Sequence, residues 1–484
     1  MSAALEPVIG LEIHVQLSTR TKMFCGCELS FGDPPNTHTC PICLAHPGAL
    51  PVPNREAIRL AALAGIALGC RIPPESIFHR KNYFYPDNPK AYQISQYDEP
   101  LAVEGRFAVL GEDGEREVGI TRVHLEEDAA KLLHAGAGGR RAGAESSVVD
   151  FNRAGTPLVE IVTEPDIRSA EEASQFLKQL RQTLRELGVS DCNMEEGSLR
   201  ADANVSVRPA DTRALGTKTE LKNMNSFTFL RRGIEAELAR QSALVERGER
   251  VTQETLHFDP DTGALHPLRS KEEAHDYRYF SEPDLVPLVP DPTWASELGT
   301  GLAELPVARR RRYRGLGLTF EDAEVLTETP ELSRYFEDAA ALVGDPKEAA
   351  NWIRGDLRAL LDERAESPET SRVTPERLAQ LVAMVRDGAV SRPAAREVLT
   401  EVAASGDSPR AIVEARGLGQ ISDEAELRAL VEGALAGNAA QADQLRGGQE
   451  KLVGFFVGQV MRASGGRADP KRAGELVREL AGLG

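Results

Sequence analysis

The chain has 484 residues, 41% hydrophobic and 27% charged, more than one efficiently growing core accommodates, so two to four domains are expected. Its net charge of -18, from 57 basic against 75 acidic residues, repels a polyanion over most of the surface and excludes a general nucleic-acid coat, confining any such contact to local patches. The opening MSAALEPVIGLEIHVQL has no basic segment leading into an apolar one, and no stretch approaches the roughly 20 apolar residues of a membrane helix, so a cytoplasmic protein with no membrane partner is expected.

In chain order, VIGLEIHVQL (8–17) alternates Ile9, Leu11, Ile13, Val15 and Leu17 with Glu12, His14 and Gln16, the pattern of a half-buried strand. A helix is predicted from Asn54 to Leu68 with Asn54 as its cap. GITRVHLEED (119–128) reads as a second strand, with Thr121, Val123 and Leu125 on one face and Arg122, His124 and Glu126 on the other, followed by a short helix through 129–134. Helices are predicted at Ser169–Leu187 and Phe227–Glu246, on either side of a strand, ADANVSVR (201–208), that sets Asp202, Asn204, Ser206 and Arg208 against Ala203, Val205 and Val207. Strands with one polar face fit an antiparallel or mixed sheet better than a doubly covered parallel one, so the fold class is α+β. Prolines crowd 287–294 and mark a boundary. Beyond it amphipathic helices dominate, at 303–318, 320–328, 331–343 and 346–363, with a Pro/Ser/Glu-rich break at 365–376 and a helical tail over 423–437 and 447–480. No Gly-x-Gly-x-x-Gly follows a strand and no Walker A sequence occurs, so a nucleotide would have to bind without those phosphate loops.

Four of the six cysteines, Cys25, Cys27, Cys40 and Cys43, fall as C-x-C and C-x-x-C on either side of a twelve-residue loop. Two close pairs can place four thiolates at the corners of a tetrahedron, which suits zinc, with an iron–sulfur cluster as the chemical rival. With every corner filled by sulfur no position is open to substrate, so the site is structural. Cys70 and Cys192 read as small buried hydrophobes.

Glu12 and His14 can reach one cleft, with Asp202 and the pair Glu126/Glu127 on neighbouring strands. Carboxylates and imidazole around an open position suit Mg²⁺ or Mn²⁺. Each residue taken singly could equally be solvated surface. The longer words carry more. VIGLEIHVQL, TKMFCGC, NTHTCPICLAHPGALPVPN, RKNYFYPDNPKAYQISQYDEP, HLEEDAAK, DFNRAGTPLVEIVTEPD, LRADANVSVR, GTKTELKNMNSF, HDYRYFSEPDLVPL, NWIRGDL and GGQEKLVGFFVGQVM, in this order over essentially the whole chain, closely resemble the B subunits of the aspartyl/glutamyl-tRNA amidotransferases.

The resemblance implies a cradle-like catalytic domain over 1–292 with a zinc loop at about 23–45, a helical domain over 293–405 and a small helical tRNA-binding tail over 406–484. It implies an enzyme that uses ATP and Mg²⁺ to phosphorylate the glutamyl or aspartyl group of misacylated tRNA(Gln) or tRNA(Asn). Ammonia then attacks, released from glutamine by an amidase A subunit that a small C subunit bridges to this one. Carried over by matching words, Glu12, His14, Glu127 and Asp202 would hold magnesium and phosphates. Lys81, Lys218, Lys222 and Glu254 would complete the site, and the four cysteines would hold structural zinc. The chain departs from the family at Leu256, where an arginine is usual and His257 could partly replace it, and at Ser281. The segment Arg446–Arg478 has seven basic and three acidic residues, against the sign of the whole, which suits phosphate contact; the run Arg309–Arg312 is a second candidate patch. A non-catalytic zinc-stapled tRNA adaptor and a metal hydrolase are the competing readings.

Overall fold

Side-chain alternation organises the first part of the chain. In β1 (Leu5–Gln16), Ile9, Leu11, Ile13 and Val15 are buried, while Glu12, His14 and Gln16 on the other face are half-buried. The computed structural model describes residues 4–135, 144–222, 224–270, 277–421 and 423–483, so Asn223, His275 and Asp276 of the quoted words lie outside the described residues. The chain divides into two units, Met1–Arg309 and Arg310–Gly484.

The first unit is built on a mixed sheet. Its elements are β1, α1 (Arg55–Ala67), β2 (His79–Asn82), β3 (Tyr92–Ser95), β4 (Ala102–Gly111), β5 (Gly114–Glu127), β6 (Lys131–Ala135), β7 (Ser146–Asp150), β8 (Pro157–Thr163), α2 (Ala170–Glu186), β9 (Leu199–Pro209), β10 (Thr219–Lys222), α3 (Phe227–Glu246), β11 (Glu254–Phe258), β12 (Leu265–Ser270), β13 (Phe280–Ser281) and α4 (Trp294–Thr300). Among the described residues, eight strands join in the order β12–β11–β10–β9–β1–β8–β5–β4. Every pairing is antiparallel except β10 with β11, which is parallel. A small sheet pairs β13, β2 and β3.

The apolar face of the large sheet is covered by α1, α2 and α3. Phe176, Leu177 and Leu180 of α2 and Leu230 and Ile234 of α3 share one core with Ile9, Leu11, Ile13 and Val15, each such fully buried side chain contributing roughly 1.5–3 kcal/mol. The helices predicted at 54–68, 169–187 and 227–246 fall where expected. Asn54 caps α1 by accepting from Glu56 N and Ala57 N, Ser169 caps α2, and Ser226 caps α3. The predicted helix at 129–134 is instead β6, paired residue by residue with β7. The Ala/Lys/Leu content favours a helix locally, but the partner strand lies beyond the reach of local propensity.

The second unit is helical. After α5 (Pro306–Gly315) come α6 (Phe320–Leu326), α7 (Pro330–Val343), α8 (Pro346–Asn351), a π-helical turn (Trp352–Leu357), α9 (Arg358–Arg364), α10 (Pro375–Arg386), α11 (Arg392–Ser405) and α12 (Pro409–Arg416). Their apolar faces form one core from Tyr313 to Val413. A separate core from Ile421 to Ala481 joins α13 (Glu424–Gly437), α14 (Ala439–Arg446), α15 (Leu452–Ala463) and α16 (Pro470–Ala481). In the arginine run Arg309 pairs with Glu186 and Arg310 is 1% exposed, while Arg311 and Arg312 are exposed, Arg312 pairing with Glu337. Among the described residues no helix is long and apolar enough to cross a membrane.

Candidate functional site

The face of the large sheet opposite the helices carries the polar residues, and strand register decides which of them meet. His14 of β1 lies opposite Glu160 of β8 on one side and Arg200 of β9 on the other. Glu160 in turn lies opposite His124 of β5, and Glu126 lies two pairs further along. Because side chains two residues apart on a strand share a face, three adjacent strands deliver His14, Glu160, His124 and Glu126 to one place. His14 Nε2 is 3.4 Å from Glu126 Oε1 and 3.5 Å from Glu160 Oε2, and His124 Nε2 is 3.2 Å from the same Glu160 oxygen. Arg122 Nε donates to His124 Nδ1 at 3.3 Å, which leaves Nε2 of His124 as the nitrogen that carries a proton toward Glu160. His14, Glu126 and Glu160 each offer a ligand atom within 4.8 Å of the other two.

Charge is concentrated here. Burial works against a charged His14, but its hydrogen bond to Glu160 and the charges of Glu126 and Glu160 outweigh that, and its pKa is pushed up to about 9. Burial likewise opposes ionisation of Glu160, yet the imidazoles of His124 and His14 hold its carboxyl well below the usual carboxylate range. Lys81 of β2 is desolvated, and Glu126 and Glu160 still raise it above an ordinary lysine. Carboxylates converging with an imidazole suit a hard divalent cation. Such a cation must displace the His14 proton before it can use that nitrogen.

One residue pair away on the same face, Glu12 stands directly opposite Asp202. Asn204 Nδ2 donates to Glu12 Oε1 at 2.8 Å, and Lys222 Nζ bridges Asp202 Oδ2 at 2.6 Å and Glu220 Oε1 at 2.9 Å. Burial disfavours the Lys222 ammonium, but Asp202 and Glu220 raise its pKa above the usual range. The polar face of the large sheet therefore carries Glu12, His14, Asp202 and Lys222, and Lys81 comes to the same carboxylates from β2 of the small sheet, five of the residues that the sequence suggests.

The other three are placed elsewhere. Glu127, next to Glu126, points to the opposite side of β5. There its carboxylate takes Lys90 and the backbone N–H of Ile94 (3.0 Å) and lines a cavity of about 260 Å³ shared with Cys25 and Cys43. Glu254 lies on the helix-covered side of β11, with Arg240 of α3 at 3.2 Å. Lys218 is exposed just before β10. Leu256 is 2% exposed and belongs to the helix-side core, so its side chain is not on the polar face. Sequence reasoning does not select Glu160 or His124, and it names Glu126 only as one of the pair Glu126/Glu127, of which the family words favour Glu127. Glu160 has a visible signal, as the single charged residue inside the apolar run PLVEIVT (157–163).

The cysteines form a second centre. The four sulfurs of Cys25, Cys27, Cys40 and Cys43 lie within 4.8 Å of one another, with Cys40 and Cys43 at 3.9 Å, close to the ~3.8 Å edge of a tetrahedron with 2.3 Å metal–sulfur bonds. A hydrogen bond from Cys25, the Cys40 backbone and the Lys22 ammonium hold the Cys43 thiol down to about 4 against the effect of burial. The donor set fits a structural metal of the zinc type and leaves no open position. Cys192 is fully buried, and Cys70 packs against the same core, both as small hydrophobes.

A family model described as the GatB/GatE catalytic domain matches residues 7–296, and one described as the GatB domain matches residues 334–480. The chain is 51% identical over 477 residues to the B subunit of the aspartyl/glutamyl-tRNA(Asn/Gln) amidotransferase of Geotalea uraniireducens (strain Rf4), covering 98% of this chain and 99% of that protein. It is 50% identical over 473 residues to the protein of the same name from Geobacter sulfurreducens (strain ATCC 51573 / DSM 12127 / PCA), covering 98% of each. It is also 50% identical over 475 residues to that from Moorella thermoacetica (strain ATCC 39073 / JCM 9320), covering 98% and 99%.

Proposed function

We propose that this chain, which belongs to the family of aspartyl/glutamyl-tRNA(Asn/Gln) amidotransferase B subunits, performs the ATP-dependent amidation of a glutamyl or aspartyl group on misacylated tRNA with ammonia from a partner protein. It is an enzyme of the ligase type. The observation that carries the site assignment is the convergence of His14, Glu126 and Glu160 from three neighbouring strands.

A carboxylate resists ammonia because oxide is a poor leaving group; phosphorylation by ATP replaces it with a good one. When bound, Mg²⁺ would neutralise charge on the transferring phosphoryl. His14, Glu126 and Glu160 would hold it, with Glu12 and Asp202 alongside. Lys81 and Lys222, both kept charged by carboxylates, would meet phosphate oxygens. Buried Glu126 and Glu160, 2% and 7% exposed, keep these charges strong by limiting water. Glu127 stands outside this group. Its carboxylate is taken by Lys90 and the backbone N–H of Ile94 instead.

The cysteine cluster is assigned structural zinc. A separate hydrophobic core from Ile421 to Ala481 supports a tail domain, to which the excess of basic residues between Arg446 and Arg478 assigns a tRNA contact. Ile412 and Val413 share the preceding core, which argues for its boundary near Leu418. An amidase A subunit and a small C subunit are the partners, and the cytoplasm is the location.

Full-length Glu12→Gln and Asp202→Asn variants, assembled with both partners, test this reading. Each should keep tRNA binding and lose ATP-dependent amide formation even with ammonium supplied. Undiminished amidation would point to an adaptor, and ATP-independent turnover to a hydrolase.

A further inference from the structure

We propose that Lys22 is the counter-charge of the tetrathiolate metal centre and the tie that holds the metal loop against the turn leading into β8. The proposal rests on the zinc reading of the cysteine cluster. Lys22 is 0% exposed. A buried ammonium without an anion is strongly disfavoured, yet among the described residues no ion pair joins it to a carboxylate. Glu127, which shares its cavity, is taken by Lys90. Lys22 Nζ donates to the carbonyls of His38 at 2.8 Å and Phe151 at 3.0 Å and stands 3.7 Å from Cys43 Sγ. The two carbonyls take two of its three N–H donors and none of its charge, the third reaches Cys43 Sγ, and the sulfurs are the anions within reach.

Four thiolates around a divalent ion leave an excess of two negative charges. One fixed ammonium beside the cluster halves it and favours the ionised sulfurs that a metal needs. The same side chain connects two segments far apart in sequence, the metal loop through His38 and Cys43 and the 150–155 turn through Phe151. Further hydrogen bonds follow the same seam: Asn36 N to Asp150 Oδ1 at 3.1 Å, Phe151 N to Asn36 Oδ1 at 2.8 Å and His38 N to Asn152 Oδ1 at 2.9 Å. Gly155, at a φ of +84° that other residues rarely adopt, lies against the Lys22 stem. Two residues later begins β8, which carries Glu160. Lys22 is thus a positioning residue: it acts through the metal loop and touches no reacting atom.

The test uses full-length, zinc-loaded protein and a chromophoric zinc chelator. Wild type should contain one zinc per chain; a wild type that takes up none overturns the metal reading and this assignment with it. With zinc present in wild type, Lys22→Met should surrender it about 10–100-fold more readily, and Lys22→Arg should stay closer to wild type, since the adjoining cavity of about 260 Å³ leaves room for a guanidinium. Equal zinc retention in Lys22→Met and wild type overturns the proposal. So does equal loss in the Met and Arg variants, which would make the effect one of packing rather than charge. If Lys22→Met does not fold, amide hydrogen exchange on wild type decides: stripping zinc should speed exchange at Phe151 and Asn152, and unchanged protection there overturns the tie.

Discussion

Replacing Glu160 by Gln removes one negative charge from the side of His14 and leaves the shape of the strand intact. Raising His14 from the ordinary 6.5 to about 9 corresponds to about 3.4 kcal/mol of preference for the imidazolium, at about 1.36 kcal/mol for each tenfold. Burial opposes this charge, so the raising contributions together exceed that figure; Glu160, the leading raising cause, supplies at least the about 1.5–3 kcal/mol of a hydrogen bond to a charged group, and Glu126 at 3.4 Å adds to it. The His14 midpoint in Glu160→Gln should therefore fall by about 1–2 pH units. Because the folded-state pKa is raised, the stabilisation from the His14 imidazolium is fully present below pH 6.5 and is lost as pH climbs through about 9; the variant should lose it at a lower pH. The assay is an NMR titration of ¹³C-histidine-labelled protein in magnesium-free buffer, with His14→Gln identifying the signal among nine histidines. A wild-type His14 that titrates near 6.5, or a variant midpoint that stays near 9, would refute the coupling. In the assembled enzyme the same variant should slow amide formation at least about 100-fold, ~2.7 kcal/mol.

Cys40→Ser removes one of four converging sulfurs and should lower metal content and melting temperature without changing the choice between glutamyl- and aspartyl-tRNA; a normally stable variant with full metal content contradicts the structural role. Glu254→Gln should cost about 0.5–1 kcal/mol of stability and leave amidation intact, because Arg240 keeps Glu237 at 2.8 Å; loss of turnover in a normally stable protein would return Glu254 to the reaction centre.

Local signals make much of this molecule legible without its fold. The caps Asn54, Ser169 and Ser226 and the alternation in β1 and β9 depend on neighbours a few residues away, and each element appears where those neighbours put it. The four cysteines are readable as a metal site because each pair is close in sequence. Strand pairing is different, since it joins residues far apart along the chain. That Glu12 faces Asp202 across two strands widely separated in sequence, and that β8 inserts between β1 and β5, no local pattern states. Register therefore chose Glu126 over its neighbour Glu127, placed Glu160 opposite His14 and turned Glu254 toward Arg240. A strand's period is two, so residues adjacent in sequence lie on opposite faces of the sheet. The order of amino acids sets which chemical groups are available and the family words that contain them; which of those groups share a face follows from the pairing of distant strands alone.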